Sequence, residues 1–188
     1  MIVSTRTNGY HHGALKEAAL AAGAEMLEGG GVEAVNVREA ARRIGVSSAA
    51  IFRHFANREA LLEALAARGF ELLADELRNA RSSADHPVEA MGVAYVGFAL
   101  SHPGRFRLMF GSGLLNRERH PDLCDAAAAA FELLKSATGT AERHDGDEAV
   151  MRWARVHGLA HLALDGLLDD VTPERVSKLL RGFGRTTG

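Results

Sequence analysis

Two sets of side chains in this sequence have the types and spacing that chemistry needs. The first is His157 and His161, which lie four residues apart, the spacing at which two histidines of one helix can hold a metal ion. The three residues between them contain no glutamate, so the HExxH pattern is absent, and no further metal ligand can be assigned. We therefore favour a structural role, or a polar role in a pocket, for both histidines, and we expect no metal.

The second set is a cluster of arginines in a chain that is otherwise mildly acidic. The 188 residues carry a net charge of −2, but residues 36–60 contain five arginines and two glutamates, a net charge of +3. A local excess of positive charge on a mildly acidic protein suits phosphate contact at one end of the molecule. The cluster therefore indicates a nucleic-acid partner, although any single arginine is equally typical of a solvated surface.

Nothing in the sequence predicts an enzyme. It contains no GxSxG nucleophile turn and no Walker-type phosphate loop. Cys124 is the only cysteine, which excludes an internal disulfide and favours an inert thiol over a redox sensor. We expect no cofactor. The sequence has no signal-peptide pattern and no apolar run near the length of about 18 residues that a membrane helix needs, so we expect a cytoplasmic protein without membrane segments.

The arginines are positioned by Val37–Phe55, whose pattern predicts two short helices joined by a tight turn. Gly45 can adopt the positive φ that ends the first helix, and Ser47 can accept a backbone N–H at the start of the second. Ala41 is small where the helices cross, and Val46 fills the angle between them. These residues predict a helix-turn-helix whose second helix docks in the major groove of DNA; an ordinary corner between two helices is the alternative.

Helical periodicity extends over the whole chain, and strand patterns are nearly absent. We predict an all-α fold of about nine helices. The first covers Gly13–Glu28 and stops at Gly29–Gly31, and a long helix runs from Asn57 to about Asn79. The helix predicted for Glu148–Leu168 is apolar almost all round, so it must be covered on several sides. This excess apolar surface predicts an interface, and a purely intramolecular core is the alternative.

Several stretches resemble one known family. Asn36–Leu65, with the sequence NVREAARRIGVSSAAIFRHFANREALLEAL, resembles the DNA-binding signature of the tetracycline-repressor (TetR/AcrR) family. Tyr10–Gly13 extends the resemblance to the first helix, and His102–Phe110 is similar to the middle of such proteins. Trp153–Leu159 resembles the Trp…His-Gly pattern of a subgroup with a WHG-type effector domain.

The resemblance implies an architecture and a function. Residues 1–56 would form the helix-turn-helix DNA-binding domain, residues 57–80 a linking helix, and residues 81–188 a domain for ligand binding and dimerisation. The chain would be a ligand-responsive transcriptional regulator, most simply a repressor. It would bind a palindromic operator in double-stranded DNA as a homodimer and be released by a small-molecule effector of unknown identity. The alternative is a helical small-molecule-binding or metal-sensing protein that uses His157 and His161.

The implied DNA contacts lie on the helix-turn-helix and at the start of the linking helix. Phe52 stands where the family usually has tyrosine, so a hydroxyl that could donate to a phosphate is lost. Arg58 stands where lysine is common, so the positive charge is kept. The predicted DNA-contacting residues are Asn36, Arg38, Ser47, Ser48, Ala49, Phe52, Arg53, His54, Asn57 and Arg58.

The effector pocket and the dimer interface are predicted within the later helices. The predicted pocket residues are Met91, Tyr95, Phe98, Phe106, Met109, Phe110, Trp153, His157 and His161. Apolar stripes at helical spacing are more often core than pocket, and each of these residues has that alternative. The predicted interface residues are Trp153, Leu164, Leu168, Val176, Leu179, Leu180 and Phe183.

Overall fold

The protein is built from helices in the part that the structure describes. The computed structural model describes residues 8–111, 120–137 and 146–182. The helices of these segments are α1 (Asn8–Ala34), α2 (Val37–Ile44), α3 (Ser48–Phe52), α4 (Arg58–Ser82), α5 (Pro87–Ser101), α6 (Pro103–Gly111), α7 (Pro121–Ala137), α8 (Gly146–Leu164) and α9 (Pro173–Gly182). The predicted all-α fold of about nine helices is confirmed.

The first helix breaks at the predicted glycines. Gly31 leaves the helical conformation, with φ 70° and ψ −169°, so the regular helix ends within Gly29–Gly31, and a short helical segment continues beyond the kink to Ala34. A glycine is needed at the break because residues with a side chain rarely adopt this positive φ. Burial of Val35, just past the helix, holds the segment in place.

The caps predicted at Gly45 and Ser47 are confirmed, and Asn36 and Asn57 cap α2 and α4 in the same way. The side chains of Asn36 and Ser47 each accept a backbone N–H, at 2.8 Å at the start of α2 and 3.3 Å at the start of α3. Gly45 ends α2 in the left-handed region with φ 74°. Asn57 begins α4 by accepting a backbone N–H at 2.8 Å. These caps satisfy backbone groups that helix ends leave unpaired, and so they fix where α2, α3 and α4 begin.

The eighth helix ends earlier than predicted. The apolar pattern continues to Leu168, but α8 stops at Leu164. Gly166 takes φ 69°, and the N–H groups of Gly166 and Leu167 bond back to carbonyls of the last turn at 3.1 and 2.9 Å. This pair of bonds is a Schellman motif, which closes a helix at a left-handed glycine. The apolar residues after Gly166 belong to the loop before α9.

Helix α4 lies at the centre of the molecule and packs against α1, α5, α6 and α7. Its buried side chains run from Leu61 in the first turn to Leu77 near the end. One hydrophobic core extends without a break from Ala19 in α1 to Val176 in α9. The core therefore crosses the predicted boundaries at residues 56 and 80, and the division into three functional parts stays a prediction. Among the described helices, none is both long and apolar enough to span a membrane.

Candidate nucleic-acid interface and ligand pocket

The α2–α3 corner has a packed inner side. Ala41 is 1% exposed, and its carbonyl accepts the Val46 N–H at 3.0 Å, which closes the turn between the helices. Ile51 and Phe55 are also buried. The two helices are therefore held rigidly, and the outer edge of α3 is left to face solvent.

The predicted DNA-contacting residues lie on and just after α3, at the start of α2 and at the start of α4. The exposed ones are Asn36, Arg38, Ser47, Ala49, Phe52, Arg53 and Asn57, and the half-buried ones are Ser48, His54 and Arg58. Phe52 is 42% exposed, which leaves a large apolar ring in water on this face. His54 turns its Nε2 atom into the protein, so that atom does not face a phosphate.

The arginines of the cluster have different partners. Arg42 and Arg43 both bond to Glu39, and the Arg42 pair is bidentate, with both distances at 2.8 Å. These hydrogen bonds lower the pKa of Glu39 to about 2. Arg38 and Arg53 make no ion pair with any residue that the structure describes, so they are the cations of this face that are open to an anionic partner.

Arg58 serves the protein itself. Its guanidinium donates to the Val35 carbonyl at 2.8 Å and the Val32 carbonyl at 2.5 Å, and it lies 3.5 Å from Glu33. These carbonyls stand at the kinked end of α1. Arg58 therefore fastens the start of α4 to the end of α1, a different role from the phosphate contact predicted for it.

A cavity of about 240 Å³ lies among the helices of the body. Its described lining comes from α4, α5, α6, α7 and α8 and comprises Phe70, Leu73, Tyr95, Phe110, Ala127, Ala128, Ala130, Phe131 and Trp153. Five of these residues are aromatic, and none carries a charge. A concave apolar site with few polar groups is the usual form of a small-molecule pocket.

Three side chains form a hydrogen-bonded chain at the cavity wall. Trp153 donates its Nε1–H to the Tyr95 hydroxyl oxygen at 3.1 Å, and this hydroxyl lies 2.9 Å from Nδ1 of His157. Burial, with a smaller effect from His161, lowers the pKa of His157 to about 4, so the ring is neutral near pH 7. Burial also raises the pKa of Tyr95, which keeps its proton. A neutral imidazole can carry its proton on either nitrogen. With that proton on Nε2, Nδ1 accepts from the tyrosine hydroxyl, and this is the arrangement in which the hydroxyl proton has a partner.

The structure brings three of the nine predicted pocket residues to the cavity: Tyr95, Phe110 and Trp153. Four others are at most 1% exposed and lie in the core: Met91, Phe98, Phe106 and Met109. His157 and His161 lie behind the wall, where both rings contact Phe106. The six predicted pocket residues that do not line the cavity thus pack in the core or support the cavity wall.

Sequence reasoning missed the α4 and α7 walls of the cavity. The alanine run of α7, Ala126–Ala130, predicts only a helix when the sequence is taken alone. Ala127, Ala128 and Ala130 line the cavity together with Phe70 of α4, and their small side chains leave room that larger side chains would fill. The sequence does contain one signal for this cavity: α7 is rich in alanine, whereas the rest of the core has many large side chains.

The histidine pair does not form a metal centre with other described residues. The rings of His157 and His161 lie 4.6 Å apart, but Nδ1 of His157 is occupied by Tyr95. Within the described segments, no group of three or more His, Cys, Asp or Glu side chains could hold a metal ion. The geometry thus favours the role of positioning Tyr95.

The structure turns most of the predicted interface residues inward. Trp153 faces the cavity, Val176 is 4% exposed, and Leu180 packs over Gly92 of α5. Leu164, Leu168 and Leu179 are partly buried against the same core. Phe183 lies outside the described residues. The exposed large apolar residues of this region are Val150, Met151, Leu162 and Leu167.

A second cleft, of about 560 Å³, opens between the start of α5 and the helices α8 and α9. Four of its charged side chains form pairs, Arg152 with Glu148 and Arg181 with Glu89 at 2.7 Å, and Asp85 and Arg155 also line it. Ser177 also donates to Glu89, and these hydrogen bonds lower the pKa of that carboxyl. This cleft is lined by charged as well as apolar side chains, in contrast to the cavity, whose described lining carries no charge.

Two family descriptions match the chain. Residues 19–65, from α1 to the first turns of α4, match "Bacterial regulatory proteins, tetR family". Residues 88–182, from the start of α5 to the end of α9, match "Tetracyclin repressor-like, C-terminal domain". The chain belongs to the tetracycline-repressor family. Because the matched families are regulatory proteins, the prediction that the chain is not an enzyme is confirmed. The WHG-type subgroup is not confirmed by these matches.

Individual relatives agree with the family. The HTH-type transcriptional regulator Rv1816 of Mycobacterium tuberculosis is 31% identical over 97 residues. The match spans 49% of this chain but only 42% of that relative. A protein of unknown function from Rhodococcus sp. RHA1 superposes with a TM-score of 0.75 at 33% identity, covering 93% of this chain and 98% of its own. AibR, solved with isovaleryl coenzyme A and operator DNA, shares the fold at 16% identity, with a TM-score of 0.67 over 90% of this chain and 97% of its own.

Proposed function

We propose that this tetracycline repressor-like chain is a ligand-responsive, DNA-binding transcriptional regulator. It acts as a repressor, binds a palindromic operator as a homodimer, and leaves the operator when a small molecule occupies the cavity of its body. The observation that carries the proposal is the presence of two separate sites in one continuous core. One is the exposed edge of α3, and the other is the apolar cavity among α4, α5, α6, α7 and α8.

The DNA end offers positioning contacts and few base-reading side chains. Arg38 and Arg53 are the available phosphate ligands, and Ser48 and Ala49 lie at the start of α3, where side chains meet base edges. A serine hydroxyl bonds many bases, and an alanine methyl suits a thymine methyl. Specificity then depends strongly on DNA shape, with two copies of α3 roughly 34–36 Å apart in successive major grooves.

The homodimer uses the outer face of α8. Met151 and Leu162 are exposed on this face, and Ala154 and Gly158 lie between them without covering neighbours. Spacings of three and four residues place these side chains on one stripe, and the small residues in the middle allow a second helix to approach closely. This stripe replaces the predicted set, whose members mostly pack within the protomer. The second copy would bury apolar surface that a lone chain leaves in water.

The signal reaches α1 through α6 as well as through α4. Phe110 at the end of α6 lines the cavity. At the start of α6, the backbone N–H groups of Gly104 and Arg105 donate to the Glu28 carboxylate of α1 at 2.8 and 3.2 Å. A ligand that displaces Phe110 therefore moves α6, and the hydrogen bonds to Glu28 carry this movement to α1. The coupling free energy of such regulators is typically about 1–3 kcal/mol.

DNA selection from random sequence, followed by affinity measurement at several salt concentrations, tests the DNA-binding claim. We expect a palindrome, and we expect Arg53→Ala to weaken binding to it and to reduce the salt slope by about 2 for a dimer, one phosphate contact in each half-site. Arg42→Ala removes the same charge from an arginine already paired with Glu39, so its effect should be smaller. Equal losses in the two variants, or no enriched sequence, would contradict the proposed interface.

Sedimentation equilibrium tests the homodimer. Leu162 and Leu100 are exposed to a similar degree, 41% and 38%, but only Leu162 lies on the outer face of α8. We expect Leu162→Asp to yield a folded monomer and Leu100→Asp to remain a dimer. A dimer in both variants would place the interface elsewhere.

A further inference from the structure

The cavity of the body restricts the chemistry of its ligand. Its described lining contains no lysine, arginine, histidine, aspartate or glutamate side chain. A charged group placed deep against this lining would lose its hydration without gaining a partner of opposite charge among the described residues, which is unfavourable. The cavity is therefore suited to an uncharged molecule.

The polar atoms of the wall are already committed to each other. The one proton of the Trp153 indole nitrogen is donated to Tyr95, and with the His157 proton on Nε2 the Tyr95 hydroxyl proton is donated to His157. A hydroxyl oxygen has two acceptor positions, and Trp153 occupies one of them. The remaining position on Tyr95 can accept a hydrogen bond from a ligand, whereas neither side chain has a donor to spare. The cavity thus favours a ligand with one O–H or N–H donor.

The size and lining of the cavity restrict the ligand further. A dry apolar cavity of about 150 Å³ holds benzene, so the 240 Å³ here corresponds to about ten non-hydrogen atoms. The rings around it are not parallel: Phe70 meets Phe110 at 82°, and Phe131 meets Trp153 at 66°. Such walls present both ring edges and ring faces, which suits a further aromatic ring.

We propose that the effector is an uncharged aromatic compound of about ten non-hydrogen atoms with a single hydrogen-bond donor, of the chemical class of alkylphenols and indoles. Its ring lies among Phe70, Phe110 and Phe131, and its donor bonds the Tyr95 oxygen. This inference rests on the proposed function in that it takes the cavity to be the effector site. A carboxylate, or the phosphate groups of a coenzyme A thioester, would find no cationic partner among the described residues of this lining.

Three matched probes test the ligand class on the purified full chain without DNA. 4-Ethylphenol has the donor, 4-ethyltoluene replaces it with a methyl group, and 4-ethylbenzoate carries a charge. Binding is followed by calorimetry and by the fluorescence of Trp153, which is the only tryptophan of the chain and lines the cavity. We expect 4-ethylphenol to bind about three- to tenfold more tightly than 4-ethyltoluene, and 4-ethylbenzoate not to bind detectably.

Two variants locate the binding. Tyr95→Phe keeps the ring but removes the acceptor, so the preference for 4-ethylphenol over 4-ethyltoluene should disappear while 4-ethyltoluene still binds. Ala127→Leu fills part of the cavity and should abolish binding of both. A preference that survives Tyr95→Phe, tighter binding of 4-ethylbenzoate, or failure of both neutral probes to bind would overturn the inference.

The outcome is distinguishable from failure of the proposed function. If the neutral probes bind but the chain selects no operator, the regulatory proposal fails and the ligand class stands. If the chain binds an operator that 4-ethylbenzoate or coenzyme A thioesters release and the neutral probes do not, the regulatory proposal stands and the ligand class is overturned.

Discussion

Substitution of Gly104 by alanine should disturb the junction between α6 and α1. A Cβ atom at this position would lie 2.3 Å from the carbonyl oxygen of Leu27 and 2.8 Å from its carbonyl carbon. Both are backbone atoms of a helix, so they cannot rotate away as a side chain would. Relief of the clash requires the two helices to separate, and this would stretch the hydrogen bonds from the start of α6 to Glu28.

The expected cost follows from these contacts. Overpacking of a buried site costs about 1–3 kcal/mol. Here the added Cβ is fixed to the backbone of α6 and meets the backbone of α1, so neither side can rotate away, and we expect a cost in the upper half of that range. At about 2–4 °C per kcal/mol for a chain of this size, Gly104→Ala should lower the melting temperature by roughly 4–12 °C.

Gly97→Ala is the matched control. Gly97 also lies inside a helix, but no atom lies within 4 Å of an added Cβ. This variant should be more stable than the wild type by about 0.5–1 kcal/mol, because alanine favours the helix. Thermal and urea unfolding of both variants provides the comparison. If Gly104→Ala proves as stable as Gly97→Ala, the close approach of α1 and α6, and the route for signal transmission through it, must be abandoned.

Three further predictions concern single side chains. The lowered pKa of His157 means that the unfolded chain binds a proton between pH 6.5 and about 4 that the folded chain excludes. Stability should therefore fall on acidification across this window, and His157→Asn should flatten the fall in pH-dependent thermal unfolding. Asn57→Ala should lower the free energy of unfolding by about 0.5–2 kcal/mol through loss of the α4 cap, whereas Asn57→Asp should keep the stability and weaken DNA binding, as urea unfolding and DNA titration would show. Arg58→Lys should cost roughly 1 kcal/mol in thermal unfolding, because an ammonium group cannot bond the Val32 and Val35 carbonyls as a fork; an unchanged melting temperature would refute the fastening role.

Features encoded within a few residues of each other could be predicted from the sequence. Asn36, Gly45, Ser47 and Asn57 mark helix ends because a cap depends only on residue type and on the backbone of the next turn. The inward position of Ile51 follows in the same way from helical spacing. The α2–α3 corner was therefore predictable, and so was the face of α3 that meets solvent.

Features that join distant segments could not be predicted in this way. The carbonyls bound by Arg58 lie 23 and 26 residues away, and no local pattern distinguishes this arginine from Arg53. The cavity arises where alanines of α7 face Phe70, and sequence spacing does not reveal which small side chains face empty space. The sequence predicts Trp153 both in the ligand pocket and in the dimer interface, because an apolar stripe gives the direction of a side chain but not the residues that it contacts.

The unbroken core has a consequence for how such regulators can be recombined. A chimera that joins residues 8–56 of this chain to the body of another family member inherits the α1 surface at Leu27 and Glu28. The new body must then present, at the start of its sixth helix, a residue with no Cβ and two free backbone N–H groups. A body with a larger side chain at this position would fold, but its sixth helix could not pack closely against α1. Ligand binding in that body would then no longer change the position of the DNA-binding helices. This DNA-binding end can therefore be combined only with ligand-binding bodies that have glycine at the position of Gly104.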